Sequence, residues 1–108
     1  MTLAELTPQL IKLSPEEKAR AVQILTNSLA GVWPGIEKTP GVCGGQARIR
    51  STRITVWLLE GLRRLGSDDA AILKQYPSLS QLDLDNAWAY AAANEAEIDD
   101  AIRLNDEA

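Results

Sequence analysis

TVWLLEGLRRLGSDDAAILKQYPSLSQLDLDNAWAYAAA, Thr55 to Ala93, decides the fold. Thr55 can cap a helix from Val56 to Leu65, and Gly66 stops it, because glycine adopts the left-handed conformation that ends helices. Leu58, Leu62 and Leu65 form an i, i+4, i+7 stripe with Leu59 beside it. Arg63 and Arg64 fall in the last turn, where cations suit the helix dipole. Ser67 is read as the cap of a second helix, with Asp68 and Asp69 in its first turn. That helix closes near Tyr76, because Pro77 restricts the residue before it. Ser80, with Asp83 three residues on, starts a third helix reaching about Asn94. Leu79 and Leu84 are placed to staple that start. Ile72, Leu73 and Tyr76, then Leu84, Ala87, Trp88 and Ala91, supply the inward faces. Joints this short force crossed helices, the arrangement of a trihelical helix-turn-helix.

Working outward, Ser14-Pro15-Glu16-Glu17 is a strong helix start, with Glu17 placed to close a capping box. Ala21, Val22, Leu25 and Leu29 continue that helix to about Leu29. Gly31, Pro34 and Gly35 break it, and Trp33 and Ile36 anchor the connector to the core. Thr39 to Gln46 is turn-rich. In Arg48-Ile49-Arg50-Ser51-Thr52-Arg53-Ile54 the alternation predicts a small hairpin turning at Ser51-Thr52, with Ile49 and Ile54 as near partners. A lone hairpin is marginal in water, so it must pack on helices or pair with a second chain, which points to a homodimer. Beyond Asn94, Glu97 to Leu104 is read as a further short helix. The expected organisation is therefore mostly α: an N-terminal helix and connector (1–39), a β-hairpin with the trihelical core (40–94), and an acidic C-terminal tail (95–108).

Composition narrows the chemistry. The chain has 108 residues, no histidine and one cysteine, Cys43. An intramolecular disulfide is excluded, and one copy lacks the nitrogen and sulfur ligands of a usual zinc site. The commonest general base is missing. Cys43, set between Val42 and Gly44, superficially resembles a nucleophile on a glycine-rich loop, but activation would need a nearby cation or helix terminus. Asp68/Asp69 and Asp99/Asp100 read better as helix-start or surface charge than as Mg²⁺ ligands. A non-enzymatic protein without cofactor or metal is expected. With no signal pattern and no long apolar run, the expected location is the cytoplasm, away from membranes.

The net charge of −4 at pH 7 hides an asymmetry. Seven basic residues face three acidic ones between Lys38 and Lys74, whereas from Gln75 onward one basic residue faces eight acidic ones. Such polarity suits an interaction protein. The third core helix offers Gln81, Asp83, Asp85 and Asn86 where a DNA-reading helix would offer cations, so its carboxylates would repel phosphates. Any DNA contact falls to Arg48, Arg50, Arg53, Arg63, Arg64 and Lys74, supplemented by Gln81 and Asn86. On residues alone, a unit for protein partners is the better reading.

Pro40-Gly41-Val42-Cys43-Gly44-Gly45, followed by Arg48 to Ile54, then Gln75-Tyr76-Pro77-Ser78-Leu79 and Ala87-Trp88-Ala89-Tyr90-Ala91, resembles the domain-of-unknown-function family numbered 433 over roughly Pro40 to Ile102. The resemblance implies a homeodomain-like core preceded by a β-hairpin. It also implies an antitoxin of a toxin–antitoxin pair, binding a nuclease-like toxin encoded nearby and, at operators, DNA. The alternatives are a stand-alone helix-turn-helix transcriptional regulator and a protein–protein module that leaves DNA alone. Where the family pattern has glycine in the hairpin turn, this chain has Ser51; serine adopts positive φ only at a cost, so a different turn is expected.

Overall fold

The computed structural model describes residues 1–107, arranged as six α-helices with one small antiparallel strand pair. Helices α1 (Leu3–Ile11) and α2 (Pro15–Ala30) belong to one compact unit, residues 1–32. A second unit begins at Trp33 and contains β1 (Ile36–Glu37), β2 (Arg48–Ile49), α3 (Val56–Arg64), α4 (Asp69–Gln75), α5 (Gln81–Ala93) and α6 (Glu95–Glu107).

The N-terminal unit holds two helices where the sequence reading expected one. Its signal was Thr2 with Glu5 three residues on: the Thr2 hydroxyl accepts from the Glu5 N–H, and the Glu5 carboxylate accepts from the Thr2 N–H. Pro8 lies inside α1 and has no N–H to give the preceding turn, which hides the helix from a reading by propensity. Ser14 caps α2 by accepting from the Glu17 N–H. The Glu17 carboxylate takes the Ser14 hydroxyl proton rather than the backbone N–H, so only half of the expected box forms. Gly31, at φ 70, ends α2.

In the second unit α3 lies against α5 and α6, and α4 bridges α3 and α5. Ile49, Val56, Leu59, Ile72, Leu84 and Ile98 are fully buried, with Ala47, Leu79, Ala87, Tyr90 and Ala91 around them. This is the trihelical core of α3, α4 and α5 preceded by a β-hairpin, with α6 added through Ile98 and Ile102. Trp33 meets Tyr90 edge-on at 5.7 Å, so the connector indole is a packing residue.

The hairpin differs from its expected form in two respects. Ile49 donates to the Ile54 carbonyl at 2.9 Å, as anticipated, and Arg48 bridges Thr55. The strand partner of Arg48–Ile49, however, is β1, in the register Ile36↔Ile49 and Glu37↔Arg48. The pair closes within one chain, so it offers no argument for a second copy. The turn also corrects the expectation drawn from Ser51: its φ is 61°, so the backbone keeps the positive-φ conformation and serine bears the strain. Thr52 holds the turn, its hydroxyl donating to the Ile49 carbonyl and accepting from the Ile54 N–H.

Helix boundaries follow local chemistry. Thr55 stands at the start of α3 without a side-chain cap bond. Gly66, at φ 104, lets its own N–H reach Arg63 O and the Ser67 N–H reach Leu62 O, a Schellman closure. The cap of α4 is Asp68, whose carboxylate accepts from the Ala71 N–H at 2.8 Å, and not Ser67. An ionised acceptor suits a helix N-terminus better than a hydroxyl one residue too early. Ser80 and Asp83 form the full capping box of α5, with Leu79 and Leu84 both buried across it.

Candidate protein-docking groove and the basic turn

Helix α3 buries Val56 and Leu59, and leaves the Leu58–Leu62–Leu65 stripe on its flank. That stripe faces α6 across a groove of about 320 Å³ lined by Trp57, Leu58, Gly61, Leu62, Leu65 and Ile102. Gly61 lines it between Leu58 and Leu62, where an added Cβ would meet only open space. Leu65 stands at one end, 86% exposed. The rim carries Arg64 on α3 and Asn105 and Asp106 on α6. On the other side of α6 a cleft of about 280 Å³ lies beside Lys38, the Gly44–Gly45 turn and Leu104; Trp57 lines both hollows.

The groove is held by ion pairs that consume the arginines of α3. Glu60 is buried, and its carboxylate lies 2.6 Å from Arg63 Nη2 and 3.2 Å from Arg64 Nε. Arg64 Nη2 reaches the α6 carboxylate of Asp99 at 2.6 Å, and that hydrogen bond raises the guanidinium pKa above its usual range. Arg63 also lies over the Trp88 ring, 4.4 Å from its centre. On the opposite side of the unit, Tyr90 donates its hydroxyl proton to Glu97, which also pairs with Lys38. Burial first, and the Glu97 carboxylate second, push the Tyr90 phenol up; the hydrogen bond to Glu97 raises Lys38.

The residues singled out for DNA or partner contact separate in space and in role. Arg48 is only 8% exposed and serves the fold: Nε donates to Thr52 O and Nη1 to Thr39 Oγ1, both at 3.1 Å, and Nη2 lies 3.7 Å from Glu37. Gln81 bonds Asp69 at 2.7 Å and Asp85 at 3.1 Å. Asp69 also accepts from Trp88 Nε1 and so ties α4 to α5. Asn86 lies against the backbone of Gly35, whose φ is 81 and where a Cβ would sit 2.7 Å from the amide nitrogen. Arg50, Arg53 and Lys74 are exposed, and none makes an ion pair among the described residues. Cys43, at φ 51, gives its thiol to the Arg53 carbonyl at 3.5 Å and so steadies the basic turn. Among the described residues no three His, Cys, Asp or Glu side chains gather as a metal site, and no helix is long and apolar enough to cross a membrane.

Sequence reasoning found the stripe Leu58–Leu62–Leu65 without assigning it a partner; Leu62 packs against the core and Leu65 is exposed. The groove went unread because its far wall, Ile102, Asn105 and Asp106, belongs to a helix read as ending at Leu104.

Among solved structures, a crystal structure of a DUF433 member protein from Anabaena variabilis is 39% identical to this chain, with a TM-score of 0.64. The match covers 95% of this chain and 99% of that one. No curated protein matches. The family model described as "Protein of unknown function (DUF433)" matches residues 36–91, from β1 into the last turn of α5. With more than half its length under that model and a solved member 39% identical over 95% of it, the chain belongs to the DUF433 family.

Proposed function

We propose that this protein is a non-catalytic, cytoplasmic binding protein of the antitoxin type, whose α3–α6 groove docks a nuclease-like toxin encoded nearby. The observation that carries this reading is the apolar groove itself, lined by Trp57, Leu58, Leu62 and Ile102, with Leu65 86% exposed at its end. An amphipathic helix is the usual occupant of such a groove, anchored at i, i+3/i+4 and i+7. Carboxylates of Glu95, Asp99, Asp100 and Asp106 line α6. A nuclease binds phosphates with cations, so a protein bearing this acidic helix would meet it faster and with salt sensitivity.

Operator DNA is the second reading, favoured by Arg50 and Arg53 together on the exposed turn. Two arginines and Lys74 give a small phosphate footprint, so DNA contact by one copy is weak and non-specific.

Co-expression with the product of the neighbouring reading frame tests the proposal. The expected result is a complex that survives purification at low salt, weakens as salt rises, and relieves growth arrest caused by the partner alone. A partner that is expressed and folded yet neither binds nor is neutralised would overturn it. A gel shift at low salt examines the second reading, which fails if Arg50→Ala with Arg53→Ala leaves the shift unchanged.

A further inference from the structure

Helix α2 carries an apolar seam outside the groove. Val22, Leu25 and Leu29 recur at three- and four-residue spacing and are 64%, 58% and 91% exposed; Val32, just beyond the Gly31 cap and so outside the helix, is 50% exposed. Alternating three- and four-residue steps are the signature of a helix that pairs with another helix along one edge. The flanking residues are Ala19, Ala21, Thr26 and Ser28. They are short and uncharged, so two backbones can approach closely and no ionised group must be stripped of water.

The four aliphatic side chains present on the order of 400 Å² of apolar surface, the size of the largest patch on an ordinary monomer, which is often functional. Two such patches face to face, with their flanks, reach roughly the 1,000 Å² total that a specific interface needs, and fall short of an obligate one. A surface of that size, self-complementary and charged only at Lys18 at its N-terminal end, suits a second copy of the same helix.

We infer that α2 is a self-association surface, on which two copies of this chain pair antiparallel. The direction comes from charge. No basic residue lies in the last turn of α2, so its terminal carbonyls lack a cation. Lys18 continues the seam four residues before Val22 and is exposed. Antiparallel pairing brings Lys18 of each copy to the carbonyl end of the other. It places Leu25 at the twofold axis and Val22 of one copy against Leu29 of the other. Glu16 and Glu17 fall off the seam. Parallel pairing would set like helix ends together and leave both carbonyl ends uncompensated.

Sedimentation velocity from micromolar to submillimolar protein is the test. The mass should rise toward twice 11.8 kDa with concentration. Leu25→Glu with Leu29→Glu alters exposed positions only, so far-UV circular dichroism should stay unchanged while the species remains at 11.8 kDa. In a Cys43→Ser background, Leu25→Cys should cross-link under oxidation and Val22→Cys should not. A wild-type chain that stays monomeric at the highest concentration overturns the inference. So does a dimer undisturbed by the double change, or one broken instead by Leu65→Glu in the groove. Cross-linking through Val22→Cys overturns the antiparallel direction.

Discussion

Replacing Arg48 by alanine separates a residue that builds the fold from one that meets a partner. The side chain is 10% exposed and gives two hydrogen bonds at 3.1 Å, to Thr52 O and Thr39 Oγ1, with Glu37 at 3.7 Å. A hydrogen bond from a charged donor contributes about 1.5 kcal/mol at the low end of its range, so the two come to about 3 kcal/mol. Losing the buried stem adds to this, while release of a desolvated cation subtracts. The expected loss is about 2–4 kcal/mol. A domain this size shifts by about 4–8 °C per kcal/mol, so the melting temperature should fall by roughly 10–25 °C. Arg50 lies two residues away and is exposed, so Arg50→Ala should change stability by less than about 0.5 kcal/mol. Arg48→Lys should recover less than half of the loss, since one ammonium cannot reproduce the planar fork that reaches both oxygens. Urea titration followed by tryptophan fluorescence reads all three, with the slope unchanged. An Arg48→Ala variant that loses under about 1 kcal/mol, or an Arg50→Ala variant that loses as much, would refute this division of roles.

Three further outcomes follow from single contacts. Asp69→Ala removes the acceptor of Gln81 Nε2 and Trp88 Nε1 and a first-turn carboxylate of α4; it should cost about 1.5–2.5 kcal/mol by urea titration, discounted for partial exposure. Ser51→Gly relieves the φ of 61° and should stabilise by about 0.5 kcal/mol, with any destabilisation of similar size arguing against a strained turn. Tyr90 titrates higher folded than unfolded, so its phenol stabilises the fold below its ordinary value of 10.0, and that contribution is lost as pH rises through the raised one. Denaturation at stepped alkaline pH should therefore show a steep loss in the wild type and a shallower one in Tyr90→Phe, the remainder belonging to Lys38; parallel curves would contradict the assignment.

The parts of the fold written in local chemistry were legible in the sequence. Ser80 with Asp83, Gly66, and Pro77 after Tyr76 each fix a boundary through one or two nearby backbone groups, and those boundaries fall where the residues place them. What depends on distant partners was not. Glu37 and Ile36 show no strand pattern in two residues; they are strand because Ile49 and Arg48 lie opposite. Arg48 and Arg50 look alike in sequence, and only the presence of Thr39, Thr52 and Glu37 around the first makes it internal. The stripe Leu58–Leu62–Leu65 has the spacing of a core face, yet Val56 and Leu59 are the buried residues, Leu62 only packs at the core's edge and Leu65 is exposed, because α3 is gripped by α5 on one side and α6 on another. The groove exists because α6 is long enough to bring Ile102, Asn105 and Asp106 alongside α3.

Calorimetric titration of the neighbouring frame's product into wild-type chain, Leu65→Glu, and Arg50→Ala with Arg53→Ala tests the groove most directly. Burying Leu65 contributes about 2 kcal/mol and placing a carboxylate there costs more, so Leu65→Glu should weaken binding by about thirtyfold or more while the double arginine variant binds like the wild type. Unchanged binding by Leu65→Glu, with loss in the arginine variant, would contradict the groove and place the partner on the basic turn.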